Sequence, residues 1–349
     1  MSWGHDLSRA DARLVDGFQS GFPVTERPFR AVGEALDEPE ERALSRVRRL
    51  SEDSVFRRVG PVLNPPVIGS SALAALSVPE ARFEAVTEVV NAYESVNHNY
   101  GREHRFDMWF VVTAETRDRR EAVLDEIESR TGCQLLRLPM RTEYYIDLEF
   151  PVVNDDRLAR EGWSSETPVE PTPIRDGACS DLTALDRRLI PALQDGLSLS
   201  PTPYRDVAER VDASVGDVLA AIERLSDWNC IKRIGCVVNH HAVGFDQNCM
   251  VVWDVPEAEL DERAVAAGRQ PSVTYCCHRP RRETAGWPYN LFTMIHGRSR
   301  EAVEATIDEL AAEHLRCDHA RLHTTEVLKQ TGVRYSDLLA SDATATPDP

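Results

Sequence analysis

The residues best equipped for chemistry fall in two stretches of the 349-residue chain. The first is Val96-Asn97-His98-Asn99-Tyr100-Gly101-Arg102-Glu103-His104-Arg105-Phe106-Asp107-Met108-Trp109-Phe110. The second is Val273-Thr274-Tyr275-Cys276-Cys277-His278-Arg279-Pro280-Arg281-Arg282, followed by Trp287-Pro288-Tyr289-Asn290-Leu291-Phe292-Thr293-Met294-Ile295-His296. In each a polar, basic cluster precedes an apolar, strand-like run, with six extra residues between them in the second. Histidine is the side chain that titrates nearest neutral pH, and clustered arginines attract anions, so these segments suit proton transfer on an acidic ligand. His98 and Tyr100 lie two apart and should share one face of a strand. An ordinary solvated sheet face has the same spacing, but the density of arginine in so acidic a chain favours a site.

These clusters need strands to carry them, and the chain repeats the elements that do so. Residues 12–69 align without a gap onto 187–244 at a constant offset of 175. Pro28-Phe29-Arg30 meets Pro203-Tyr204-Arg205, and Arg58, Gly60, Asn64 and Gly69 meet Arg233, Gly235, Asn239 and Gly244. Such self-similarity marks a tandem duplication. In the second copy, residues 181–194, 204–211 and 214–228 have helical spacing and 231–239 alternates like a strand, a winged helix-turn-helix pattern. Strand 248–255, helix 257–267, strands 272–279 and 289–297, helix 300–315 and strand 320–328 follow, in ferredoxin-like βαββαβ order. The first copy repeats the order with 72–78, 80–93, 95–102, 106–114, 120–130 and 135–150.

The expected fold class is therefore α+β: a tandem duplication in which each copy is a winged helix-turn-helix domain followed by a ferredoxin-like domain. The expected divisions are 1–69 and 70–153, a Pro, Ser, Glu and Asp-rich linker at 154–180, then 181–244, 245–335 and a flexible tail at 336–349.

A net charge of -18 and a pI near 5.0 oppose binding to a polyanion unless basic residues are concentrated locally. At the helix-turn-helix turns the first copy has Asp37-Glu38-Pro39-Glu40-Glu41, and the second has Asp212-Ala213-Ser214-Val215-Gly216-Asp217. Neither is equipped to meet phosphates, and Arg46, Arg48 and Arg49 read as a solvated, ion-paired face, so no nucleic-acid partner is expected. No apolar run suggests a leader or a membrane span, and a cytoplasmic protein is expected. Eight cysteines without C-x-x-C spacing are read as reduced thiols, mostly in the core.

The architecture resembles the Lrp/AsnC transcription regulators, which pair through their ferredoxin-like domains. Two copies in one chain would form an internal pseudo-dimer. The strand motifs resemble a narrower branch, the siroheme decarboxylases. His98-Asn99-Tyr100-Gly101-Arg102-Glu103-His104 leading to Asp107-Met108-Trp109-Phe110 looks like the NirD/AhbA type. Arg279-Pro280 followed by Trp287-Pro288-Tyr289-Asn290-Leu291-Phe292-Thr293-Met294-Ile295-His296-Gly297 looks like the NirL/AhbB type. Cys276-Cys277 departs from the bulkier pair usual there.

That resemblance implies removal of the carboxyl groups from the acetate side chains at positions 12 and 18 of siroheme, giving 12,18-didecarboxysiroheme for haem d1 synthesis. It casts His98, His104 and His278 as proton donors or as ligands to the siroheme iron, with no metal of the protein's own and no cofactor beyond the substrate. Tyr100, Arg102, Arg105, Arg279, Arg281 and Arg282 would hold carboxylates, with Trp287 and Tyr289 as a macrocycle wall. Trp109 and Phe292 are expected in the core, His240-His241 in a turn with a site contact as the alternative, and His296, His314, His319 and His323 in structural or surface roles. A homo-oligomer, or a complex with related NirG/NirH-type subunits, is expected. An Lrp/AsnC-type regulator and a non-catalytic tetrapyrrole sensor or carrier are the alternatives.

Overall fold

The computed structural model describes residues 7–146, 149–150, 152, 169–179 and 181–340. The first helical unit comprises α1 (Arg9–Phe18), α2 (Pro28–Ala35) and α3 (Glu40–Glu52), then β1 (Phe56–Leu63) and the single turn α4 (Pro65–Ile68). The ferredoxin-like unit follows as β2 (Ser70–Ser77), α5 (Phe83–Asn91), β3 (Val96–Arg102), β4 (Met108–Ala114), α6 (Arg117–Thr131), β5 (Gln134–Pro139) and β6 (Thr142–Ile146). β7 (Thr172–Pro173) lies between the copies. The second copy has α7 (Ala184–Leu193), α8 (Pro203–Arg210), α9 (Val215–Asp227), β8 (Ile231–Val238), β9 (Gln247–Trp253) and α10 (Leu260–Gly268). It ends with β10 (Val273–His278), β11 (Leu291–Gly297), α11 (Arg300–Glu309), β12 (His319–Gln330) and α12 (Tyr335–Ala340).

The duplication extends to backbone and capping chemistry. Asp37 and Asp212, 175 apart, both hold positive φ (58° and 50°), as do Ser54 and Asn229 (60° and 56°). Asp11 and Asp186, also equivalent, close capping boxes with Ser8 and Thr183 and are buried. Arg46 (2.7 Å) and Arg49 (2.5 Å) pair with Asp11, and Arg224 (2.6 Å) with Asp186.

The copies interlock. β1 pairs antiparallel with β8, so each expected wing is one strand of a shared two-stranded sheet, and both helical units fill one core. Among the described residues the remaining strands form a sheet in the order β5-β2-β4-β3-β12-β9-β11-β10-β6-β7. The strand expected at 135–150 is broken around Met140 and Arg141: β5 pairs with β2 of its own copy, and β6 crosses to β10 of the other. β12 makes the same crossing unbroken, from β9 to β3. Beyond the crossings, the Gln19 side-chain oxygen accepts from the Phe150 N–H (2.8 Å), and that of Gln194, its equivalent, from the Tyr335 N–H (2.9 Å).

Alternation along the strands gives two faces. One packs under the helices of each copy; the other turns inward, where Leu73, Trp109, Leu138, Val252, Phe292 and Leu322 of both copies meet in one cluster.

Three expectations need correction. Cys179 and Cys230 are joined in a disulfide, not reduced. They are 51 residues apart in sequence and meet because Gly177 and Cys179 donate backbone N–H groups to Gly69 and Val67 beside α4. Within the expected linker, Thr172 and Pro173 pair with β6. Residues 336–340, expected to begin the tail, belong to α12, which buries Tyr335 and Leu338. Residues 341–349, and 154–168 and 180 of the linker, lie outside the described residues. No helix of the described residues is long and apolar enough to cross a membrane.

Candidate active site

β3 carries His98, Tyr100 and Arg102 on its inward face, because His98 and Tyr100 stand opposite Val111 and Trp109 of β4. The His98 and Tyr100 rings stack with centroids 6.2 Å apart, and the Arg102 guanidinium lies 5.5 Å from the Tyr100 centroid. Burial lowers the proton affinity of His98 and raises that of the Tyr100 phenol. Arg102 is buried and donates to the Leu322 carbonyl (2.7 Å), while its Nε has no partner among the described residues. Burial pulls its pKa down to about 10. Across the strand pair, Val327 of β12 faces Tyr100 and is 56 % exposed. Above them Arg57 on β1 is exposed and has no hydrogen-bond or ion-pair partner among the described residues. Its charge acts on both the Tyr100 phenol and the His240 imidazole.

The other expected site residues divide by location. His104 is half-buried; its Nδ1 accepts the Phe106 N–H (3.0 Å), so the neutral ring carries its proton on Nε2. It packs edge-on to Trp287 (5.6 Å). Arg105 donates to the Ala285 carbonyl and covers the Phe106 ring at 4.7 Å, pinning the loop before Trp287. Trp287 is fully buried among Phe106, Trp109, Tyr289 and Phe292, so it is a core side chain and not an exposed wall. Tyr289 is partly exposed and meets its edge. Arg279 is buried, donating to the Leu138 carbonyl and to the Tyr275 hydroxyl (2.6 Å). Arg281 is held by Asp254 (2.7 Å) and Glu257 (2.8 Å), and Arg282 by the Arg137 carbonyl (2.9 Å). His278 shares its strand face with Cys276, under the helices, so alternation turns it away from Tyr275, Cys277 and Arg279.

A larger histidine cluster joins residues expected in a turn, His240 and His241, to one expected in a structural role, His296. His240, His241 and His296 converge, with ring centroids 3.9 Å apart for His240–His241 and 5.3 Å for His240–His296. Phe150, arriving from the other copy, packs on both His240 (5.4 Å) and His296 (5.1 Å). His240 Nδ1 lies 2.8 Å from the Phe245 carbonyl, an acceptor, so Nδ1 carries the proton and Nε2 keeps its lone pair. His296 bonds the Thr274 hydroxyl (2.8 Å), and burial with two neighbouring imidazoles drives its pKa down to about 3. The signal available in sequence was the pairing of His240-His241 with Pro65-Pro66 at the repeat offset, a difference where the copies otherwise match. A separate cavity of about 510 Å³ opens beside Asn97 and Thr113, lined also by Arg119, Lys329 and Arg334.

The fold and the doubled arrangement define the class, a helix-turn-helix protein with Lrp/AsnC-like ligand-binding domains. The AsnC-like ligand binding domain matches residues 68–145 and 242–329, and the siroheme decarboxylase NirDL-like HTH domain matches 11–57 and 186–231. The siroheme decarboxylase NirDL subunit of Paracoccus denitrificans is 34 % identical over 332 residues, covering 95 % of this chain and 98 % of its own. The chain belongs to the siroheme decarboxylase NirDL family. The NirD subunit of Pseudomonas aeruginosa is 48 % identical over 147 residues, 42 % of this chain and 96 % of its own. Subunits of Stutzerimonas stutzeri named NirH and NirG also match over less than half of the chain. The crystal structure of a siroheme decarboxylase NirDL in complex with an iron-uroporphyrin III analogue shares the fold, with a TM-score of 0.68 at 23 % identity over 96 % of each chain.

Proposed function

We propose that this protein is a siroheme decarboxylase of haem d1 synthesis, removing the acetate carboxyl groups at positions 12 and 18 of siroheme. Family membership along nearly the whole chain supports the reaction. The observation that carries the site is the inward face of the β3–β12 strand pair at the junction of the copies, where the half-buried His98 and Tyr100 and the exposed Val327 lie near Arg57, unpaired among the described residues, whose charge also reaches His240.

Each turnover converts a ring-bound CH2–COO⁻ and a proton into a methyl group and carbon dioxide. The electron pair of the broken C–C bond stays on the methylene carbon and takes up the proton. His98 is the proposed donor. Burial holds it neutral in the free protein, and the carboxylates of an incoming tetrapyrrole restore its proton affinity, so the substrate charges its own acid. Val327 and the Tyr100 ring supply apolar surface beside the reacting carboxylate, Arg57 holds a neighbouring carboxylate, and Arg102 braces the Tyr100 ring from below. The free Nε2 lone pair of His240 suits ligation of the siroheme iron. His104, Arg105 and Tyr289 form the far rim, around the buried Trp287.

No cofactor beyond siroheme enters this scheme. The protein is proposed to act in the cytoplasm, as a homo-oligomer or with NirG- and NirH-type subunits. The proposed domain limits fall at 69, 153, 180 and 244. The test is anaerobic incubation of the purified chain with siroheme and mass spectrometry of the tetrapyrrole. Two successive losses of carbon dioxide are expected. Bound siroheme without mass loss, even with related subunits added, would make the protein a tetrapyrrole carrier or sensor, and no binding would return it to the regulator class.

A further inference from the structure

The two copies place the same strand pair beneath the same wing strand but equip them differently. In the second copy Lys232, the counterpart of Arg57 at the 175 offset, holds both oxygens of Glu143 at 2.7 and 2.5 Å. Glu143 is the register partner of Cys277. Beneath it, Arg279 and Cys277 both donate to the Tyr275 hydroxyl at 2.6 and 3.0 Å. Charge is matched by charge there, and both terminal nitrogens of Arg279 are engaged, with its Nε alone unpartnered among the described residues.

In the first copy the Lys232–Glu143 ion pair and the bonds to the Tyr275 hydroxyl have no counterpart among the described residues. Val327 stands where Glu143 stands, as register partner of Tyr100, and is 56 % exposed. His98 replaces Tyr275 and Tyr100 replaces Cys277 at an offset of 177. Arg102 keeps its bond to the Leu322 carbonyl, as Arg279 keeps its bond to Leu138, and both leave Nε unpartnered, but Arg102 has no second acceptor among the described residues where Arg279 has the Tyr275 hydroxyl. Arg57 is left exposed and unpartnered among the described residues. A buried polar group normally finds a partner, and an exposed aliphatic side chain beside an unpaired cation is the wall and grip that an apolar ring bearing carboxylates requires.

We infer that the chain has a single tetrapyrrole cleft, on the first copy, and that Arg57, delivered by the helix-turn-helix wing, is the residue that grips a substrate carboxylate there. The second copy's equivalent is closed by the Lys232–Glu143 pair. The helix-turn-helix unit thereby contributes directly to substrate recognition. This rests on the siroheme reading and adds to it the number of sites and the role of the wing.

The test is an anaerobic absorbance titration of the full chain with siroheme, alongside steady-state decarboxylation. Saturation at one siroheme per chain is expected. Arg57→Gln should raise KM about ten- to a hundredfold, the worth of one charged hydrogen bond, with a smaller change in kcat. Arg57→Lys should recover part of the loss, and Glu143→Gln should leave both constants within about twofold, as expected for a pair remote from substrate. Matching thermal unfolding of Arg57→Gln and wild type separates recognition from folding. Two equivalents per chain, or an Arg57→Gln protein that binds and turns over siroheme like wild type, would overturn the inference while the decarboxylase reading stood. A wild-type chain that binds no siroheme would overturn both.

Discussion

His98 is the proposed proton donor, and its setting makes two outcomes testable. Replacing it with glutamine keeps a polar side chain in the cleft but removes the acid, so kcat is expected to fall by about 10²- to 10⁴-fold while siroheme still binds. A smaller loss, within a few-fold, would move the proton donor elsewhere, with His240 the next candidate. Burial lowers the proton affinity of His98 in the free protein, so kcat/KM should rise as pH falls and level off only below the ordinary histidine range. On the proposed placement substrate carboxylates would raise that affinity, so the corresponding limb of kcat should lie at higher pH than that of kcat/KM. Coincident limbs would mean that the bound substrate does not charge this imidazole.

At the scale of elements, the helix starts do more than begin helices. Asp186 is fully buried, completes the α7 capping box and receives Arg224 from α9, so it ties two helices of the second unit together. Asp186→Ala removes a cap and leaves Arg224 without its partner, and a loss of about 2 kcal/mol of stability is expected in denaturant unfolding. The arginines of α3 are similarly occupied: Arg46 and Arg49 by Asp11, and Arg48 by the Leu199 carbonyl of the other copy at 2.6 Å. Of this basic stretch, Arg46 and Arg49 are tied up within the first unit, and Arg48 fastens it to the second.

At the scale of the molecule, the crossings make the copies interdependent. Half of β12 belongs to the first copy's sheet, β6 belongs to the second copy's, and among the described residues β1 pairs with β8 alone. Cutting the chain within residues 154–168 is therefore expected to give halves that are unstable alone but reassociate one to one when co-expressed, read by co-purification and recovered decarboxylation. Halves that fold separately as stable monomers would contradict that account. The chain should also lose stability on acidification. Burial lowers the proton affinity of His98, His104, His240, His278 and His296, the last to about 3. Folding favours their neutral forms, so this contribution is whole above about pH 6.5, the unfolded histidine value, and is lost as pH falls toward the folded values. Denaturant midpoints at pH 7.5 and pH 5 would show it as a lower midpoint at the acidic pH.

What the sequence determined alone was whatever near neighbours decide. Helical and strand periodicities, the constant 175 offset and the pairing of His98 with Tyr100 on one face are local properties, and the fold class and family resemblance followed from them. Pairing between distant strands depends on which edges meet, and periodicity is the same whichever partner is chosen. Only the tertiary structure could break the 135–150 strand at Met140 and Arg141, join the two wings, and link Cys179 to Cys230. The same limit governed the site. Arg281 and Arg57 are equally basic in sequence; the fold gave Asp254 and Glu257 to the first and left the second open. His278 and His98 lie in matching motifs, yet the pleat set them on opposite faces. His240 and His296 are 56 positions apart in sequence, and folding the wing back onto β11 brought them together.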